Sequence, residues 1–127
     1  MPSKSSESAG RRLRALALSY PDTEEAHPWG ECAIKVRGKT FLFLRDDRTE
    51  LSLSIKLTDS HLEALQCNFT EPTHYGLGKS GWVTARFKPT QRVPYSKLEQ
   101  WIDESFRNVA PKKVVASLKK ASVRSDA

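Results

Sequence analysis

The feature that most constrains the fold is a run of hydrophobic residues with period two between residues 34 and 57. Apolar and polar residues alternate before Gly38-Lys39, and again, strictly, from Leu51 to Leu57. Because alternate side chains of a strand point to opposite faces, this pattern predicts three antiparallel strands. Gly38-Lys39 fits a two-residue hairpin turn. Residues 40–44 are apolar on both faces and are expected at the centre of the sheet.

Two longer segments have helical periodicity instead. Apolar residues recur at helical spacing over residues 13–20, where Pro21 ends the pattern, and over residues 98–109. Ser96 and Glu99 have the spacing of a capping box at the start of the second segment. This second helix has the strongest apolar stripe in the chain and is predicted to be the main cover of the sheet.

Two shorter helices complete the helical elements. Residues 59–67 are predicted to form one of them, with Thr58 as its N-cap and with Leu62 and Leu65 facing the sheet. Pro111 suits the first position of the other, because a proline there loses no helical hydrogen bond.

The stretch 73–87 predicts two more strands, 73–77 and 81–87, joined by a glycine-rich turn. Its glycines fit the spacing G-x-G-x-x-G, but a dinucleotide site requires a helix after that turn, and here a strand follows. Thr73 stands where a P-loop needs its first glycine, and no other kinase motif accompanies the glycine loop. The glycines are therefore interpreted as a hairpin turn.

These elements predict one two-layer α+β domain. Their order is helix, three strands, helix, two strands and two helices, which gives an antiparallel five-stranded sheet with helices on one face. Residues 22–30 are interpreted as a connecting loop. The domain is expected to span residues 7–119, between a flexible N-terminal segment, 1–6, and a flexible basic tail, 120–127.

The amino-acid composition limits the classes of function that are plausible for this chain. The chain has two cysteines, no C-x-x-C and no histidines at metal-ligand spacing, so neither a disulfide framework, a metal nor a cofactor is predicted. We also find no signal peptide and no apolar run long enough to span a bilayer. We expect a cytoplasmic protein without a membrane partner, as a monomer or a weak dimer.

The net charge of +6 is concentrated at the two ends of the chain. Residues 1–14 carry four basic side chains and one acidic, and residues 107–127 carry six basic and one acidic. The part between them has a net charge of −2, and within it residues 73–97 hold five basic side chains and no acidic one. An anionic partner is one interpretation, and tails that only improve solubility are the other.

Helices on one face leave the other face of the sheet uncovered. The side chains predicted there are cations, hydroxyls and one aromatic: Lys35, Arg37, Ser52, Ser54, Lys56, Trp82, Thr84 and Arg86. Phosphate contact and base stacking use these side-chain types. An ordinary solvated face of an antiparallel sheet would also have them.

Several segments in this order resemble the MmcQ/YjbR family of small bacterial proteins. They are Tyr20-Pro21, Pro28-Trp29-Gly30, the strand pair 35–41, His74-Tyr75, Gly81-Trp82-Val83 and the closing helix with Ser105-Phe106. The resemblance implies a CyaY-like two-layer α+β fold and suggests DNA binding. It brings no established catalytic residue to this chain.

We therefore predict a non-enzymatic module that binds DNA or RNA, largely without sequence specificity. The predicted contact residues are Lys35, Arg37, Lys39, Lys56, His74, Lys79, Trp82, Arg86, Lys88 and Arg92.

Two other function classes stay open. The first is a protein-interaction or chaperone-like domain that uses Trp29, Trp82 or the strand edge at Phe87. The second is an enzyme, whose candidate residues are His27, His74, Cys32 and Cys67.

Overall fold

The computed structural model describes residues 2–27, 32–46, 49–73 and 80–118. Over these residues the chain forms a six-stranded antiparallel sheet with helices packed on one face, so the α+β class is confirmed. None of the helices in the described ranges is both long and apolar enough to cross a bilayer. The elements are α1 (Pro2–Leu18), β1 (Thr23–Ala26), β2 (Cys32–Val36), β3 (Lys39–Asp46), β4 (Leu51–Lys56), α2 (His61–Leu65), β5 (Thr70–Pro72), β6 (Trp82–Phe87), α3 (Tyr95–Val109) and α4 (residues 112–118).

The described part of the sheet has one strand more than predicted, because β1 replaces part of the expected connecting loop. The strand order is β1-β2-β3-β4-β6-β5, which places β1 at one edge and β5 at the other. In β1, Thr23 lies opposite Val36 and Glu24 lies opposite Lys35. The sequence of β1 is polar and shows no apolar alternation, so β1 was mistaken for a loop.

The fourth predicted strand, 73–77, was misplaced. β5 covers residues 70–72, where a break was expected, and of the predicted strand 73–77 only Thr73 is described, outside β5. Pro72 is compatible with this place because β5 is an edge strand. Gly81, before β6, has a φ of 96°, and a Cβ there would collide with the carbonyl oxygen of Leu57, so only glycine fits.

The helix α2 is shorter than predicted, and Ser60, not Thr58, occupies its N-cap position, without a side-chain capping bond. Glu104 of α3 holds the turn before the helix, because it accepts hydrogen bonds from the backbone N–H groups of Thr58 (2.9 Å) and Ser60 (3.2 Å). Leu62 was expected to face the sheet, but 75% of its surface is exposed, and Ala64 is the buried residue of this helix.

The helix α3 is the main cover of the sheet, as predicted, and it buries Leu98, Trp101, Ile102, Ser105 and Phe106. The Phe106 ring stacks on Tyr20 at 4.5 Å and meets Phe41 edge-on at 5.1 Å, which joins α3 to the end of α1 and to β3. The predicted capping box does not form. Pro94 occupies the N-cap position and no side-chain capping bond is made there.

Ser105 connects α3 to the backbone of two strands. β3 contains a bulge, since Ile34 and Lys35 pair with Leu42 and Thr40 and skip Phe41. Both Phe41 and Leu42 are fully buried, as expected when a bulge turns two consecutive side chains to one face. At this bulge the Ser105 hydroxyl donates to the Phe41 carbonyl (2.6 Å) and accepts from the Lys56 N–H (2.8 Å). One buried hydroxyl thus satisfies two strand groups.

Candidate functional site

The face of the sheet that points away from the helices has the composition predicted from the sequence. Ser52 lies opposite Arg86 and Ser54 lies opposite Thr84, while Leu53 between them faces the helices. We call this surface the open face. Its described members are Glu24, Ala33, Lys35, Thr40, Phe43, Arg45, Ser52, Ser54, Lys56, Glu71, Trp82, Thr84 and Arg86.

The centre of the open face is apolar and closed. Trp82 lies on this face, as predicted, but only 8% of its surface is exposed, and its ring lies 5.5 Å from that of Phe43. Ala33, the cross-strand partner of Phe43, is fully buried. The expectation that Trp82 offers its ring for base stacking is therefore wrong. Phe43, the apolar residue of β3 on this face, is the neighbour against which the indole packs.

Arg86 is held between two carboxylates. Its Nε donates to Glu71 of β5, and its Nη1 donates to Glu50 at 3.0 Å. The pKa of Arg86 is raised above its ordinary value, mainly because Glu71 accepts its hydrogen bond. Arg86 is 40% exposed, so these ion pairs are partly solvated. Two of its N–H groups are therefore bonded to carboxylates, whose negative charge disfavours the approach of a phosphate.

Four predicted cations lie at the opposite end of the sheet. Lys35 and Lys56 lie near the ends of β2 and β4, and Arg37 lies in the β2–β3 turn. Lys39 begins β3 opposite Val36, which faces the helices. We call these four residues the basic end. Arg37 pairs with Asp22 at 2.8 Å. In the described part of the chain, no carboxylate lies within ion-pair distance of Lys35 or Lys56.

The structure does not bring all the predicted contact residues together. Lys88 and Arg92 follow the end of β6, beside Arg86. Lys56 lies opposite Trp82, four residues before Arg86 on the same strand, so about 13 Å of strand separates Lys56 from Arg86. His74 and Lys79 lie outside the described residues. The basic end is therefore the part of the predicted site with the fewest neutralising partners.

Two clefts lie near the sheet margins. A cleft of about 360 Å³ surrounds Arg86 and Lys88. A larger one, of about 590 Å³, lies between α1 and the first three strands and includes Arg11, Arg14 and Glu25. Glu25 accepts hydrogen bonds from Arg14, and its Oε2 lies 2.8 Å from His27 Nε2. Glu25 was not among the predicted site residues, because its partners Arg14 and Cys32 lie on other elements, 11 and 7 residues away in the chain.

The candidate nucleophile Cys32 lies in this larger cleft as a protonated thiol. Its Sγ donates to Glu25 at 3.3 Å. Burial, assisted by the Glu25 carboxylate, raises the pKa of Cys32 to about 12. Thiolate chemistry requires the opposite shift. No group of His, Cys, Asp and Glu in the described ranges is arranged to hold a metal ion.

The apolar residues proposed for protein contact are not an exposed cluster. Phe87 is 2% exposed, because it packs in the core with Phe69 at a ring distance of 4.9 Å. The suggestion that the Phe87 edge meets a partner is therefore wrong. Trp29 lies outside the described residues.

Comparison with known proteins identifies both a sequence family and fold neighbours. The YjbR family model matches residues 18–108. A protein from Pseudomonas syringae is similar in structure with a TM-score of 0.62 and 15% identity, over 78% of this chain and 97% of that one. A DUF1801-family protein from Bacillus subtilis has a TM-score of 0.56 and 13% identity, over 80% and 77%. No curated protein matches significantly in sequence.

Proposed function

The chain belongs to the YjbR family, and from this premise we propose that it is a non-enzymatic module that binds DNA or RNA through the phosphate backbone. The observation that carries the proposal is the basic end. Among the described residues, the carboxylates beside these four cations are Asp22, which pairs with Arg37, and Glu24, which lies opposite Lys35. A phosphate backbone that crosses the strand ends would meet these cations in succession.

The chemistry of the open face favours weak sequence preference. Lysines attract phosphates as point charges, and Trp82 is too buried to stack on a base. Ser52 and Ser54 add hydroxyls that can donate to phosphate oxygens. Contact with the backbone alone carries no base readout, so different sequences should bind with similar affinity.

The basic C-terminal region supports the same proposal from outside the sheet. Residues 107–127 carry six basic side chains and one acidic. Lys112 and Lys113, at the start of α4, are exposed. Such charges accelerate encounter with a polyanion, whereas the basic end is proposed to make the contacts.

The test is a titration with a labelled single strand and a labelled duplex at two salt concentrations. Four phosphate contacts release enough counterion to weaken single-strand binding about 50-fold between about 50 and 200 mM salt. The double variant Lys35→Gln with Lys56→Gln keeps two of the four cations. Its affinity should therefore weaken only about 7-fold between the same two salt concentrations. The matched control is Lys112→Gln with Lys113→Gln, which removes the same charge from α4 and should keep the steep salt dependence.

Two results would reject the proposal. One is the absence of binding to either nucleic acid at the lower salt concentration. The other is an equal loss of affinity in the open-face and α4 variants, because general attraction between opposite charges would then explain the binding.

A protein-interaction domain is the second candidate function. Leu62, at 75% exposure, is the exposed large hydrophobic residue of the described chain, and the ring of Phe43 on the open face is only half-buried. A pull-down at about 1 M salt, where charge contacts are screened, distinguishes the two candidates. A partner retained there and lost in Leu62→Ser would favour protein binding.

A further inference from the structure

The two edge strands of the sheet differ in the backbone groups that they present. At β5, the Arg86 N–H donates to the Phe69 carbonyl and the Thr73 N–H donates to the Trp82 carbonyl, which fixes the register. The backbone groups of Thr70 and Pro72 therefore point away from the sheet. Pro72 has no N–H, and the Thr70 N–H already donates to Cys67 (3.3 Å). This edge therefore has no free donor in its three residues.

The β1 edge is open by the same reasoning. The N–H of Arg37 donates to the Asp22 carbonyl, so Asp22, Glu24 and Ala26 turn their backbone groups toward β2. Thr23 and Glu25 then turn theirs away from the sheet. No other described part of the chain hydrogen-bonds to the backbone of these two residues. Two N–H and two C=O groups are thus available to an added strand.

The surroundings of this edge indicate what an added strand would carry. On the open face, Glu24 is exposed, so a cation opposite it is favoured as a cross-strand pair. On the helix-covered side the β1 side chain is Glu25, which already pairs with Arg14 and His27 in the larger cleft. A second carboxylate beside Glu25 is therefore disfavoured, and a neutral residue fits that side of the added strand.

We propose that the β1 edge binds an extended segment of a partner protein as a seventh strand, with cations on its open-face side. The backbone groups of Thr23 and Glu25 hold the segment, and Glu24 selects its cations. This site adjoins the basic end, since Glu24 lies opposite Lys35, but it does not depend on the proposed nucleic-acid contacts.

The first test is amide hydrogen exchange by NMR on the full chain without a partner. Thr23 and Glu25 should exchange at least 10-fold faster than Glu24 and Ala26, because the latter pair bonds to β2. Equal protection of the four amides would mean that this edge is already occupied, and would overturn the proposal.

The second test uses a short synthetic peptide that alternates Lys and Thr, so that its lysines share one face. Its binding should slow exchange of the Glu25 amide at least 10-fold at saturation and leave the Glu24 amide unchanged. The control peptide has the same composition with its lysines in one block and its threonines in another, so it cannot place all its lysines on one face. Equal binding of the two peptides would overturn the proposal.

The third test removes the outward N–H. Glu25→Pro deletes this donor at an edge position where proline is tolerated. Glu25→Ala deletes the same carboxylate but keeps the N–H. The alternating peptide should lose at least 10-fold in affinity for Glu25→Pro relative to Glu25→Ala, with circular dichroism confirming that both fold. Equal affinity of the two variants would overturn the proposal, and if the proline variant does not fold, the two wild-type tests above decide it.

Discussion

On the helix-covered face of the sheet, β4 contributes Leu51, Leu53 and Ile55, all buried; on the open face the same strand contributes Ser52, Ser54 and Lys56. The covered face is held by apolar contacts and by the two buried hydrogen bonds of the Ser105 hydroxyl. The charges at the margins of the open face are held by half-exposed ion pairs. Because exposed pairs contribute little to folding, we expect substitutions at these margins to cost less stability than substitutions on the covered face. Substitutions can test that difference.

The largest effect is expected for Phe106→Ala on the covered face. It removes the ring that contacts Tyr20 and Phe41, and a cavity of this kind costs about 3–5 kcal/mol. Urea unfolding followed by circular dichroism measures the loss. A loss below about 1 kcal/mol would contradict the view that the aromatic cluster anchors α3.

The next effect is expected for Ser105→Ala. Without the hydroxyl, the Phe41 carbonyl and the Lys56 N–H lose a shared partner in a buried place, which costs about 1–3 kcal/mol of unfolding free energy. Ser52→Ala makes the same chemical change on the open face and should cost at most about 0.5 kcal/mol. Equal losses in the two serine variants would remove the distinction between the faces.

A smaller effect is expected for Arg86→Gln. Its ion pairs with Glu50 and Glu71 are partly exposed, so their loss should cost about 0–1 kcal/mol, and less at high salt. Because both carboxylates already occupy Arg86, the same substitution should change nucleic-acid affinity less than twofold. A drop comparable to that of the Lys35 and Lys56 variant would show that the two ends of the open face act together.

The smallest effect on stability is expected from the titration of Cys32 at the rim of the covered face. Its pKa is raised to about 12, so the protonated thiol is favoured in the folded state. This contribution is complete below the ordinary pKa of a thiol and disappears as the pH rises through about 12. Iodoacetamide should therefore alkylate Cys32 slowly at pH 8 and faster as the pH rises, measured by mass spectrometry. Glu25→Gln should accelerate the reaction, and an unchanged rate would contradict the role of that carboxylate.

The sequence predicts those elements whose evidence is local. Strict alternation located β4, and the apolar stripe located α3, because each pattern lies within one element. β1 was missed because its pairing with β2, and not its own composition, makes it a strand.

The prediction of the site was incomplete for the same reason. The partners of Arg86 lie 15 and 36 residues away, and Trp82 is covered by an aromatic residue two strands across the sheet. Such neighbours depend on strand order, which periodicity does not contain. Thus the outward direction of these side chains was predictable, but their availability to a ligand was not.

The bridging hydroxyl of Ser105 also has a consequence for folding kinetics. At the β3 bulge, one carbonyl and one N–H of adjacent strands find their partner on a helix and not on each other. The sheet therefore cannot complete its own hydrogen bonding before α3 has docked. Docking of α3 thus completes the pairing of β3 with β4 at this point, and a sheet without its helix would leave these two groups to water.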